Sequence, residues 1–88
     1  MPETFLLEVA TPERLWVRER VLEAQIPCRN GYIGVLPGHA ALLSELGSGQ
    51  LTYSGENGSG RLRISGGWVE VLDDHVRVLA DQAEEDSA

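Results

Sequence analysis

Eighty-eight residues suffice for one small domain with a single modest core. The formal net charge of −7 disfavours phosphate backbones and anionic lipid heads, so nucleic acid is excluded as an expected partner and so is direct membrane insertion. All seven basic residues are arginine, which excludes chemistry built on lysine: a Walker A site, a Schiff base, or a biotinyl or lipoyl carrier. Cys28 is the single cysteine, so no internal disulfide forms, and a reducing compartment suits the chain. No basic start followed by an apolar run marks a secretory signal at Met1. No apolar run reaches the ~20 residues of a membrane span. The expectation is a soluble, monomeric domain.

Strand patterns dominate in chain order. Thr4 to Ala10 alternates, with Phe5, Leu7 and Val9 on one face. Thr11-Pro12-Glu13 is a turn, and Arg14 to Glu23 alternates again with Leu15, Val17 and Val21 on one side. The arginines of that strand fit a solvated face better than an anion site. Ala24 to Pro27 is a short apolar strand. Arg29-Asn30-Gly31 turns, and Tyr32 to Leu36 follows around Gly34. Pro37-Gly38 suits the two central positions of a type II turn. Ala40 to Leu46 reads as one helical turn or an irregular apolar segment. Gln50 to Ser54 and Arg61 to Ser65 form a hairpin across a Gly55–Gly60 loop, with Leu62 and Ile64 inward. Gly66-Gly67 marks a tight bend or bulge. Trp68 to Leu72, a two-residue Asp73-Asp74 turn and His75 to Ala80 form the last hairpin, with Val69, Val71, Val76 and Val78 inward. The predicted organisation is one all-β domain over residues 1–81, a flattened sandwich or barrel of about ten strands, followed by an acidic flexible tail over 82–88.

Chemistry is sparse. Cys28 and His39 flank an apolar loop, but no acidic residue between them would orient the histidine, and the turn explains His39 by itself. Asp73-Asp74-His75 lacks the ligand set of a metal site. Gly47-Ser48-Gly49 and Gly55 to Gly60 have no following lysine and open no helix, so they are loops and not phosphate cradles. No catalytic residue, cofactor or metal is assigned. The conspicuous feature is Gly31–Leu43, GYIGVLPGHAALL, three glycines and a proline among apolar residues. From Asn30 to Ser44 no residue carries a formal charge while His39 is neutral. Such a loop is either tucked under the fold or presented to a partner. A binding or structural module follows, with a stand-alone β-barrel for a small ligand as the alternative.

Three stretches carry a resemblance. Gly34-Val35-Leu36-Pro37-Gly38-His39-Ala40-Ala41-Leu42-Leu43, then Ser65-Gly66-Gly67-Trp68-Val69-Glu70-Val71-Leu72, then Val76-Arg77-Val78-Leu79-Ala80-Asp81 resemble the epsilon subunit of F-type ATP synthases, called delta in mitochondria. The likeness covers residues ~4 to 83 and includes the Thr11-Pro12-Glu13 turn. It implies a non-catalytic β-sandwich at the foot of the rotor stalk, between the gamma subunit and the membrane c-ring, that couples proton translocation to ATP synthesis. It implies a place at the cytoplasmic face of a bacterial cell membrane, peripheral to it. Carried over residue by residue, the c-ring side falls on Arg29, Asn30, Gly31, Tyr32 and His39. The gamma side falls on Thr11, Leu42, Leu43 and Ser44. Relatives often have an acidic residue where Tyr32 stands, so an aromatic contact replaces a charged one. Gly34 to Gly38 is expected to be a stiff, largely buried connector between the two contacts. Most relatives continue past Ala80-Asp81 into a two-helix domain that binds ATP in some members. With the sequence ending at Ala88, neither an ATP site nor an inhibitory arm is expected.

Overall fold

Alternation of apolar and polar side chains builds most of the strands. In β1 (Phe5–Thr11), Phe5, Leu7 and Val9 are buried while the residues between them are not. A computed structural model describes residues 4–86. The strands that follow are β2 (Arg14–Val21), β3 (Glu23–Cys28), β4 (Gly31–Val35), β5 (Leu42–Glu45), β6 (Ser48–Gly55), β7 (Gly58–Leu72) and β8 (His75–Glu85). There is no helix among the described residues, and the Ala40–Leu46 segment contains β5 in place of a helical turn. The strands pair in the order β2-β1-β8-β7-β6-β3-β4, with β5 beside β7. All pairs are antiparallel except β1 with β8. The sheet folds over so that Val17, Val21, Ala24, Ile26, Leu51, Ile64, Val69 and Val78, among others, share one core. This is the all-β fold that the turn spacing anticipates, with eight strands among the described residues where about ten are expected.

The reduced count has a physical cause at Gly66-Gly67. These residues lie inside β7, at φ 70 and φ 111. β7 pairs with β8 along its length, from Leu62 opposite Glu85 to Leu72 opposite His75. On its other edge it pairs first with β6 and then with β5, and the two lie in line: Ser48 faces Ser65 and Glu45 faces Trp68. Between them Leu46 N–H donates to the Gly67 carbonyl at 2.8 Å and Gly66 N–H to the Gly47 carbonyl at 3.1 Å. The inward face of β7 changes parity across this point, from Leu62 and Ile64 to Val69 and Val71. The glycines therefore let one strand roll over between the two layers of a sandwich without ending. A Cβ at Gly67 would run into the Leu79 carbonyl oxygen.

Two other expectations fail for local reasons. The β1–β2 register passes from Val9↔Val17 to Ala10↔Leu15, leaving Trp16 as the extra residue of a bulge. Leu15 consequently faces solvent at 53% exposure, not the core with Val17 and Val21. Trp16 packs against the core instead. Its indole N–H donates to Thr11 Oγ1 at 3.1 Å, and the Arg14 guanidinium lies 3.9 Å from its ring centroid. The acidic segment from Gln82 is not a free tail through Glu85, because Gln82 to Glu85 pair with Leu62 to Ser65. Asp86 then anchors the segment. Its carboxylate accepts from Gln50 Nε2 at 2.6 Å and from Arg63 at 3.3 Å, and Arg61 Nε donates to its carbonyl at 3.0 Å. The Gln50 bond, with help from the arginines, holds this carboxyl below the usual aspartate range. Residues 87 and 88, the rest of the expected tail, lie outside the described residues.

One polar cluster stitches the outer side of β2, β1 and β8. Glu8 Oε2 accepts from Arg18 Nε at 2.8 Å, Glu8 Oε1 is 2.6 Å from His75 Nε2, and Arg77 Nε approaches within 3.8 Å. The His75 bond first, then Arg18, lower the Glu8 carboxyl below its ordinary value of 4.5.

Two outcomes follow. Gly67→Ala combines a strained φ with a backbone clash, so it is expected to destabilise the fold by at least about 2 kcal/mol in urea unfolding. A loss under about 0.5 kcal/mol would contradict the role given to this residue. For Glu8 the folded value is the lower one. Its stabilisation is therefore complete above the ordinary value of 4.5 and is lost as pH falls through the lowered folded value. The melting-temperature gap between the natural chain and Glu8→Gln should be open at about pH 7 and narrow as pH falls below 4.5. A gap that stays constant over that range would rule the linkage out.

Candidate functional site

Most of Gly31–Leu43 is presented, with Val35 buried and Ile33 and Leu42 packed against the core. Within the Gly34–Gly38 segment only Val35 is buried, and Leu36 is 63% exposed, which overturns the expectation of a largely buried connector. The Pro37-Gly38 turn has the anticipated form: Gly38 sits at φ 86 and His39 N–H donates to the Leu36 carbonyl at 3.1 Å. His39 is half-buried, and its Nδ1 lies 2.7 Å from the Ala40 carbonyl. Cys28, at the far side of the β3–β4 hairpin, is buried. Cys28 and His39 thus sit in different environments, the one buried and the other half-buried.

The Arg29-Asn30 turn joins β3 to β4 and is tied sideways to β5. Arg29 N–H donates to the Glu45 carbonyl at 2.9 Å, and its guanidinium meets Glu45 Oε1 at 2.9 Å. Both charges are exposed, so the pair orients the turn more than it stabilises the fold. Tyr32 is 55% exposed, yet its hydroxyl accepts Gln50 N–H at 2.8 Å. The ring lies over Gly49, where a Cβ would collide with the hydroxyl. One end of the tyrosine is fixed and the rest of its surface is open. Arg29, Asn30, Gly31 and Tyr32 therefore form one exposed edge at the start of β4, and His39 lies on the turn beyond its other end.

A second surface lies on the outer side of the sheet. Trp68 and Leu79 are partners across β7 and β8, Leu79 and Ala10 across β8 and β1, and Ala10 and Leu15 across β1 and β2. Trp68, Leu79 and Leu15 are each about half exposed, so an apolar row crosses four strands in the open. Leu72 and Leu43 flank it, the latter 67% exposed. Of the gamma-side residues expected from the sequence, Leu43 is on this surface. Leu42 is half-buried against the core, Ser44 is half-buried beside it, and Thr11 spends its hydroxyl on Trp16. Trp68, Leu72 and Leu79 escaped the sequence reading as site residues. The pointer was present: if Val69, Val71, Val76 and Val78 face inward, these three large apolar side chains must face outward. Leu15 had no such pointer, because only the bulge at Trp16 turns it out.

A hollow of about 570 Å³ is open and is bordered by Glu13, Ser48, Arg63, Asp81 and Glu84. No residue of Gly31–Leu43 borders it, so the loop closes over no pocket there.

Residues 4–86 match the family described as ATP synthase, Delta/Epsilon chain, beta-sandwich domain. The ATP synthase epsilon chain of Solibacter usitatus is 60% identical over 84 residues, which cover 96% of this chain and 63% of that one. The epsilon chain of Koribacter versatilis is 43% identical, with 96% and 59% covered. The chain thus spans about three-fifths of the length of these relatives. Among solved structures, a chain of the Euglena gracilis mitochondrial ATP synthase, in an assembly of OSCP, F1 and c-ring, superposes with a TM-score of 0.87 at 27% identity. That match covers 97% of this chain and 55% of the other. A chain of the Tetrahymena thermophila central stalk and c-ring shares the fold, with a TM-score of 0.77 at 18% identity. With the whole described sandwich matched and a bacterial relative at 60% identity, this chain belongs to the delta/epsilon chain family of ATP synthases, of which it contains the beta-sandwich domain.

Proposed function

We propose that the chain is a non-catalytic part of the central stalk of an F-type ATP synthase, held between the gamma subunit and the c-ring at the cytoplasmic face of a bacterial cell membrane. In that position it helps couple proton translocation to ATP synthesis by contact alone, and the sandwich binds no nucleotide. The observation that carries the reading is the apolar row Trp68–Leu79–Ala10–Leu15 on a family member, since a lone domain gains nothing from half-exposed tryptophan and leucine side by side. This row, with Leu43 and the neighbouring Thr11, Leu42 and Ser44, is the gamma side. The Arg29–Tyr32 edge and His39 form the c-ring side. The two sides differ in kind. The gamma side is a broad sheet face of aromatic and aliphatic groups, suited to a lasting contact. The c-ring side is made of turns at the two ends of β4, suited to touching short polar loops.

Binding measurements separate the two sides. Trp68→Ala should weaken the affinity for a cognate gamma subunit at least about tenfold, as large aromatic anchors do. Its melting temperature should change little, since the side chain is 52% exposed. Equal gamma binding by the natural chain and Trp68→Ala would remove this face from the reading. No gamma binding by the natural chain at micromolar concentration would sink the reading itself.

A further inference from the structure

The Leu36–His39 turn closes through one of its two inner amides. His39 N–H bonds back to the Leu36 carbonyl, while the N–H of Gly38, at the third position of the turn, has no acceptor within it. That N–H finds one 36 positions along the chain, in Asp74 Oδ1 at 2.6 Å. A backbone donor on a carboxylate is a short, charge-assisted bond. The loop has little else to hold it: Leu36 and Gly38 are exposed, and a Cβ on Gly38 would meet nothing within 4 Å.

Asp74 is an unexpected residue for its own turn. Asp73 and Asp74 link β7 to β8 at φ 51 and φ 58, a geometry that favours glycine at the second position. Its carboxylate contributes nothing to the hairpin hydrogen bonds and reaches across to Gly38 instead. Its carbonyl accepts Leu6 N–H at 3.0 Å. One residue thereby joins the start of β1, the β7–β8 turn and the Pro37-Gly38 turn.

We propose that Asp74 is a positioning residue, whose carboxylate pins the Leu36–His39 turn to the β7–β8 hairpin and so sets Leu36 and His39 for contact with the c-ring. The contact half rests on the c-ring side proposed above. The tether stands on geometry alone. It accounts for an aspartate where the turn would prefer glycine, and it ties the ring-side loop to the hairpin that carries Trp68, Leu72 and Leu79.

Two variants separate positioning from a mere turn role. Asp74→Gly removes the acceptor and suits the positive φ, so the hairpin keeps its stability. Asp74→Asn keeps an acceptor oxygen and tolerates the same backbone, so it should rescue. Amide exchange with water is followed by NMR on the 88-residue chain. Gly38 exchange should speed up at least about tenfold in Asp74→Gly and stay within about threefold of the natural chain in Asp74→Asn, with Val71 and Val76 unchanged. Unchanged Gly38 exchange in Asp74→Gly would overturn the tether. In the second arm, the chain bound to gamma is titrated with detergent-purified c-ring. Asp74→Gly should lose about fivefold or more in ring affinity while its gamma affinity holds. Faster Gly38 exchange with undiminished ring affinity would overturn the positioning role. A natural chain that binds gamma but never the ring would overturn the c-ring reading and with it the contact half, while the exchange data still decide the tether.

Discussion

At Gly66-Gly67 the paired strands β7 and β8 pass from one layer of the sandwich to the other, and the rest of the structure depends on that passage. The left-handed φ of both residues and the close approach of Gly67 to the Leu79 carbonyl let β7 reverse its inward face without a break in register. Because the register is unbroken, β5 and β6 stay in line on the other edge, and Leu46 and Gly47 bridge them through hydrogen bonds to the same glycines. Both surfaces inherit their placement from this corner. On one side of it lie Trp68, Leu72 and Leu79. On the other, Gly49 and Gln50 of β6 receive the Tyr32 ring.

The corner also shows what a sequence can and cannot disclose here. Hydrophobic alternation suffices to find the core faces of β1, β7 and β8, because period two is a local property: Phe5, Leu7, Val9, Leu62, Ile64, Val69, Val71, Val76 and Val78 are all buried. Turn chemistry is equally local, and Pro37-Gly38 and Asp73-Asp74 turn where they should. A glycine pair is ambiguous by contrast. It can end a strand or roll it, and the choice lies with partners more than ten residues away in β5, β6 and β8. Trp16 is ambiguous in the same manner. Whether it continues the alternation or forms a bulge is decided by β1 across from it, and with it the direction of Leu15. The acidic Gln82–Glu85 segment looks solvated by composition, yet it is a strand because the first half of β7 needs an edge partner for its backbone. The partner edge expected at Arg29–Tyr32 rests on resemblance, and composition marks only Asn30 to Tyr32, as the start of the uncharged stretch.

The apolar row on the outer sheet face raises a question of cost, since Glu8 and Arg77 form the next row along the same face and charges are expensive to cover. The cluster answers it in part. Glu8 already accepts from Arg18 and contacts His75, and Arg77 approaches the same carboxylate. A surface that settled on this face would meet charges paired within the chain and not bare ones, so less of its binding energy would be lost to desolvation. The pairs also span β2, β1 and β8, which keeps Leu15, Ala10 and Leu79 in one plane. A chain with net charge −7 can in this way present a face that is close to balanced, and the apolar groups on it can contribute without strong repulsion from their own domain.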